Sequence, residues 1–252
     1  MTEKGYPPGA GADEMNAAMT DWLLRPRISA GQIDDLSARA IEAIHAHTSG
    51  MRAAVAWSGG KDGLAVYSLA AQCGITQGVI GLCGLELPSF LRFVEAYRPP
   101  SISIQTTGQD AAWARRNPHM IFPERRTLIK RWASVKQLAS QERYCREREI
   151  EVLINGRRTA DGNFVRRNGL HTKRCVKIYS PIGHWSHEET LALLHYRGIA
   201  LPRSYFRPRG FLIGSKQWPL YRESQLGMSP AEYLLKYEPL LAPVLSEIGV
   251  QA

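Results

Sequence analysis

The chain is expected to fold as an α/β domain, with a mostly parallel sheet, helices on both faces and helical additions at each end. Three observations carry that expectation. Apolar runs of strand length recur at residues 53–56, 78–83, 101–105 and 151–155, and stretches of helical spacing lie between them. The connections are long enough for crossovers, which in a parallel sheet are right-handed. A chain of 252 residues, 44% of them apolar, can bury one large core of this kind.

The elements follow in order. Residues 1–12 hold Gly5, Pro7, Pro8, Gly9 and Gly11 and read as a mobile tail. Residues 13–24 and 30–47 read as helices; in the second, Ile33, Leu36, Ala40, Ile41 and Ile44 share one face. After the strand at 53–56 come a glycine-bearing loop and an apolar helix. The strand at 78–83 is followed by a helix over 88–97, with Pro88 in its first turn. Beyond the strand at 101–105, residues 125–148 form a long basic helical region, and the strand at 151–155 runs directly into Gly156-Arg157-Arg158. Ser186, followed three residues later by Glu189, is a capping box that opens a helix through Leu191, Leu194 and His195. Pro202, Pro208, Gly210 and Gly214 break the chain before a last helix over 230–248. The expected division is a tail (1–12), N-terminal helices (13–48), the α/β domain (49–200) and a C-terminal extension packed on it (201–252). No internal repeat is present.

Composition narrows the function classes. The net charge of +9 suits polyanionic partners such as nucleotides, sulfonucleotides or nucleic acid, although a basic solvated surface is the plain alternative. Basic pairs recur at Arg115-Arg116, Arg125-Arg126, Lys130-Arg131, Arg157-Arg158, Arg166-Arg167 and Lys173-Arg174. No apolar run reaches the length of a membrane span, and the polar N-terminus is unlike a signal peptide, so a cytoplasmic protein without membrane partners is expected. A homodimer is left open. The four cysteines, Cys73, Cys83, Cys145 and Cys175, lie far apart and form neither a zinc pattern nor a disulfide framework.

The chemistry concentrates in Ser58-Gly59-Gly60-Lys61-Asp62-Gly63, between the first strand and its helix. Adjacent glycines let backbone N–H groups turn toward an anion. The helix start adds unpaired donors and a positive dipole end. Lys61 is read as a mobile point charge, Ser58 as a hydroxyl contact, and Asp62 as a candidate ligand for Mg²⁺. Purely steric use of glycine is the bland reading. The 58–63 loop and the Arg157-Arg158 pair both fall at carboxyl ends of strands, where open α/β sheets bind ligands. Guanidinium forks also pair well with phosphate or sulfate.

The 58–63 string resembles the Ser-Gly-Gly-Lys-Asp-Ser pyrophosphate loop of the PP-loop (adenine nucleotide α-hydrolase, ATP pyrophosphatase) superfamily. It is unlike the longer Gly-x-x-x-x-Gly-Lys-[Ser/Thr] loop. With Gly156-Arg157-Arg158, the Ser-Pro-Ile-x-x-Trp-Ser entry at residues 180–186, Leu201-Pro202 and Tyr205, the resemblance is to the phosphoadenosine phosphosulfate (PAPS) reductase-like branch, over roughly residues 50–215. It implies a Rossmann-like sheet binding an adenine nucleotide, ATP or PAPS with Mg²⁺. It also implies anion contacts from Lys61, Arg157 and Arg158, with Arg166 or Arg167 as a later partner.

Departures matter as much. Gly63 replaces the loop's last serine. The reductases' Glu-Cys-Gly-[Leu/Ile]-His cysteine is absent, since no cysteine follows Cys175. The Gly-Cys-x-x-Cys element of iron–sulfur members is matched only by Gly214-Ser215-Lys216-Gln217-Trp218, so no iron–sulfur cluster is expected. Cys175, beside Arg174 and Lys177, is the candidate redox thiol. His171, His184 and His187 are candidate bases with strong structural alternatives.

Three functions compete. The first is ATP pyrophosphatase or adenylyl-transfer chemistry, in sulfur transfer or nucleic-acid modification, with a DNA or tRNA acceptor suited to the basic surface. The second is thioredoxin-dependent PAPS reduction through Cys175. The third is a nucleotide- or nucleic-acid-binding module without chemistry.

Overall fold

The computed structural model describes residues 12–123, 125–173, 175–214 and 228–250. Six strands form one sheet in the order β3-β2-β1-β4-β6-β5: β1 Ala53–Ala56, β2 Gly78–Cys83, β3 Ile102–Thr107, β4 Val152–Ile154, β5 Leu170–Lys173 and β6 Val176–Tyr179. All neighbours run parallel except β5 and β6, which form an antiparallel hairpin at one edge.

Strand alternation divides the apolar residues between two layers. Ala53 and Val55 of β1, Ile80 and Leu82 of β2, and Val152 and Ile154 of β4 face the larger core. That layer includes helices α1 (Ala12–Leu24), α2 (Ala30–Thr48), α3 (Lys61–Gln72) and α8 (His187–Tyr196). Ala54, Ala56, Val79 and Leu153 face the other side, against Tyr144 and Cys145 of α7 (Ala139–Glu147). Both faces of the sheet are therefore covered, as the near-continuous apolar strands require.

Helix α4 (Pro88–Tyr97) starts on its proline, and a short helix, α5 (Ala111–Arg116), follows β3. The basic helical region is real but not uniform. Helix α6 (Arg126–Ala133) passes through a π segment, Ser134–Leu138, into α7, and Lys136 of that segment forms a buried ion pair with Glu86. Capping boxes fix the starts of α2 and α8, through Ser29 with Gln32 and Ser186 with Glu189.

Three expectations change. The third strand is shifted to 102–107. The β5–β6 hairpin is an addition: Val176 and Ile178 pack on the smaller core, but both strands are four residues long and mostly only partly buried. The last helix divides into α10 (Pro230–Tyr237), a 3₁₀ turn at Pro239–Leu241 and α11 (Ala242–Glu247), and a short α9 (Gly210–Ile213) precedes it. Pro239 cannot donate to the ladder, so α10 ends at Tyr237 and is capped by Glu238, whose buried carboxylate accepts from the Ser89 backbone N–H at the start of α4. Tyr205 and Phe211 lie in the main core. Residues 1–11 of the expected tail and Ser215-Lys216-Gln217-Trp218 lie outside the described residues.

Candidate functional site

The site forms where the carboxyl ends of β1 and β4 lie side by side. Past β1 the chain turns through Gly59, at φ +65°, and Gly60 caps α3 in an extended conformation. The Gly60 N–H donates to Ser58 Oγ at 3.3 Å, and the Lys61 N–H donates to the Tyr205 hydroxyl at 2.9 Å. A residue of the C-terminal extension thus satisfies one of the free donors at the start of α3.

Steric contacts explain two glycines. A Cβ on Gly63 would sit 2.5 Å from Ser58 Oγ and 2.9 Å from its backbone nitrogen. The loop's usual serine is therefore excluded here by the Ser58 side chain. A Cβ on Gly156 would lie 2.6 Å from the Asp62 carbonyl carbon. Only glycine lets the loop after β4 rest on the loop after β1. Gly63→Ser is expected to cost about 1–3 kcal/mol through overpacking, read as a drop in Tm of roughly 2–4 °C per kcal/mol. An unchanged Tm would show that the Ser58 side chain and backbone both shift at little cost.

Below these loops lies a closed ionic network. Lys61 is 4% exposed, and its Nζ donates to both Asp62 carboxylate oxygens at 2.8 Å and to Asp161 Oδ1 at 3.3 Å. Arg158 is fully buried, at 0%. Its Nε donates to Asp62 Oδ1 at 2.7 Å, Nη1 to the Trp185 carbonyl at 3.1 Å, and Nη2 to Asp161 Oδ1 at 3.0 Å. Nη2 also lies 3.1 Å from His187 Nδ1, while His187 Nε2 lies 3.1 Å from the Ala160 carbonyl. An arginine can only donate and a carbonyl only accept, so His187 carries its proton on Nε2 and is neutral. Burial, then Lys61 and Arg158, push its pKa down to about 4. Burial alone would raise the Asp62 carboxyl, but Lys61 and Arg158 outweigh it and hold the group below its usual range.

This geometry revises several expectations. Lys61 is fixed rather than mobile. Asp62 faces two cations and does not fit a Mg²⁺ ligand, because a metal there would have to displace one of them. Among the described residues, no group of three or more His, Cys, Asp or Glu side chains could hold a metal ion.

Arg157 and Arg158 part company. After β4 one side chain turns inward and the other outward, and Arg157 is exposed. Arg166 and Arg167 are also exposed, on a loop whose backbone is held by His184: its Nε2 lies 3.1 and 3.2 Å from their carbonyls. Burial, then Arg157, Arg166 and Lys173, lower the pKa of His171. His187 has both ring nitrogens engaged, Nδ1 by Arg158 and Nε2 by the Ala160 carbonyl, which argues against it as a base.

Cys175 is not brought to this site. It is exposed in the hairpin turn before β6, and β6 runs parallel to β4. The thiol therefore hangs from the amino-end rim, opposite the 58–63 loop. Arg174 lies outside the described residues.

Asp161 escapes a reading of the sequence, because a lone aspartate in a loop carries no motif. Its one signal is the i,i+3 spacing from Arg158 just before Gly162, which adopts φ +75°. Tyr205 stands out in the sequence only as part of a pattern, and nothing there signals that its hydroxyl reaches the loop.

No protein-family model matches the chain, and no curated protein matches it. Solved structures do. A PAPS reductase from Candida auris in a phosphate complex is 13% identical, with 70% of this chain and 90% of that one covered and a TM-score of 0.49. NAD⁺ synthetase from Burkholderia pseudomallei is 16% identical, with 91% and 99% covered and a TM-score of 0.44. A U34-tRNA thiolase from Methanococcus maripaludis with its [4Fe–4S] cluster is 12% identical, with 86% and 76% covered and a TM-score of 0.41. The last of these corrects the expectation that no iron–sulfur cluster is present. That exclusion rested on one cysteine spacing, and a protein similar to this chain carries a cluster. Clusters are held wherever a fold gathers thiolates, so one missing pattern does not exclude them. The structures to which this chain is similar are members of the PP-loop adenine nucleotide α-hydrolase superfamily, whose pyrophosphate loop the 58–63 string resembles.

Proposed function

We propose that the carboxyl-end site binds the phosphate chain of an adenine nucleotide, with ATP the favoured form, and that the protein is a PP-loop enzyme of the adenylyl-transferring kind. One observation carries this reading. A single carboxylate oxygen, Asp161 Oδ1, bridges Lys61 Nζ and Arg158 Nη2 beside the start of α3. The two cations thus converge on an anion supplied from outside the glycine loop, and a phosphate oxygen would make the same contacts.

With nucleotide bound, the loop N–H groups and the α3 dipole hold the phosphates, while Lys61 and Arg158 exchange Asp161 for phosphate oxygen. Arg157 reaches the outer end of the chain from the rim. In adenylyl transfer a nucleophilic acceptor bonds to the α-phosphorus, the bond to the bridging oxygen breaks, and pyrophosphate leaves with the negative charge. Fixed cations at those oxygens stabilise the charge as it develops. The reductase reading is disfavoured by Cys175, which sits on the opposite rim. A binding module without chemistry is favoured by one feature, the balance of two cations against two carboxylates in the network.

Calorimetric titration with ATP and, separately, with PAPS tests the reading, followed by an assay for released pyrophosphate. Lys61→Ala should weaken nucleotide binding by about tenfold, the worth of one charge-assisted hydrogen bond. Asp161→Asn keeps the shape but removes the competing charge, and should tighten binding by about the same factor. Failure of both nucleotides to bind would sink the proposal, and tight binding without pyrophosphate release would favour the module.

A further inference from the structure

We propose that the loop following Arg158 is a docking platform for single-stranded nucleic acid, in which Phe164 stacks on a base and Arg166 and Arg167 engage the flanking phosphates. The acceptor role this gives the nucleic acid rests on the nucleotide reading above; the binding itself does not.

Phe164 is 81% exposed, the most exposed large apolar side chain among the described residues. Burying an aromatic ring is strongly favourable, so a solvent-facing one on an ordinary loop would tend to fold inward. Here the backbone prevents it. On one side, the Asn163 backbone N–H and Nδ2 both donate to the Arg158 carbonyl, at 3.4 and 3.2 Å. On the other, His184 holds the carbonyls of Arg166 and Arg167, and the Gly169 N–H donates to the Arg166 carbonyl at 2.8 Å. The ring is presented by a segment tied down on both flanks.

The surrounding charge points the same way. Arg157, Arg166 and Arg167 are exposed, and none forms an ion pair with a carboxylate among the described residues. The nearby carboxylate of Asp161 is turned inward onto Lys61 and Arg158. What this loop turns to solvent is one aromatic ring, two and three residues before two exposed arginines. A protein partner would call for a broader apolar patch. A lone stacking surface with cations at its sides is the pattern that suits unpaired bases on a phosphate backbone. The same loop carries Asp161 into the network, so nucleic acid held there would lie beside the phosphate site.

Fluorescence anisotropy with a labelled mixed-sequence oligonucleotide tests this, as single-stranded RNA and as single-stranded DNA. Inorganic polyphosphate serves as a base-free competitor. At least one oligonucleotide should bind, and the stronger of the two identifies the source. Phe164→Ala should weaken binding by about tenfold or more, the worth of one base stack, while Phe164→Trp should preserve it. Replacing Arg166 and Arg167 together by Gln should flatten the plot of log affinity against log salt by about 1.4, near 0.7 for each phosphate no longer neutralised. The platform is overturned if neither oligonucleotide binds, if Phe164→Ala changes nothing, or if polyphosphate competes as well as the oligonucleotide. Titrating Phe164→Ala with ATP separates the two proposals. Intact ATP affinity with lost oligonucleotide binding supports the platform, and parallel loss of both overturns it by assigning the loop to the nucleotide. Oligonucleotide binding that responds as expected, in a protein that ignores both ATP and PAPS, would refute the nucleotide reading and leave the platform standing.

Discussion

Arg158→Met is expected to lower the stability of the protein by about 3–5 kcal/mol, the usual consequence of removing one member of a buried ionic network. The methionine can fill much of the volume, so the loss is chiefly electrostatic. Asp62 and Asp161 would share Lys61 as their remaining cation in the network, and the Trp185 carbonyl would lose its guanidinium donor. His187 Nδ1 would lose its guanidinium donor as well. At roughly 2–4 °C per kcal/mol for a chain of this size, Tm should fall by about 10 °C. Arg157→Ala makes the contrast: on an exposed side chain it should change stability by no more than about 0.5 kcal/mol. Equal effects from the two variants would contradict the burial that separates them.

Acid is expected to destabilise the fold through His187. In the unfolded chain this histidine takes up its proton near 6.5, whereas burial beside Lys61 and Arg158 holds it neutral in the fold down to about 4. Between those values the unfolded state binds one more proton than the native state, so stability rises with pH across the window. The contribution is complete above pH 6.5 and is lost progressively as pH falls toward 4. Its full size is on the order of 3 kcal/mol. Asp62, whose pKa is lowered, acts with the same sign at more acid pH: its contribution is present above 3.8 and lost as pH falls through its folded value. Urea midpoints measured from about pH 7.5 to about pH 4.5 should show the slope. His187→Gln, which can still accept from Arg158 and donate to the Ala160 carbonyl, should flatten it. A slope that survives the substitution would place the proton elsewhere.

Much of this molecule is legible in its residues because local rules and global packing agree. Helix α4 begins on Pro88 and α8 on its capping box because those signals act over one turn of chain. The central strands read clearly because both faces are buried. The hairpin of β5 and β6 does not, since its strands are short and polar residues such as His171, Thr172, Lys173 and Lys177 look like loop. In the site, the 58–63 loop can be found from its glycines, but their reasons cannot. Gly63 is required by Ser58 Oγ and Gly156 by the Asp62 backbone, and both contacts are made in three dimensions. Arg157 and Arg158 are indistinguishable as letters; the inward turn after β4 makes one a buried linchpin and the other a surface charge. Asp161 and His187 gain their roles only from that burial.

The position of Cys175 has a practical consequence. Cys83 and Cys145 are buried, and the Cys73 thiol is half-buried and within 3.7 Å of the Ile41 and Leu69 carbonyls. A maleimide fluorophore added to the folded protein should therefore attach first at Cys175. From the amino-end rim such a dye touches neither the phosphate loop nor Phe164. Changes in its energy transfer to a labelled nucleotide or oligonucleotide would then measure approach across the sheet without blocking the ligand.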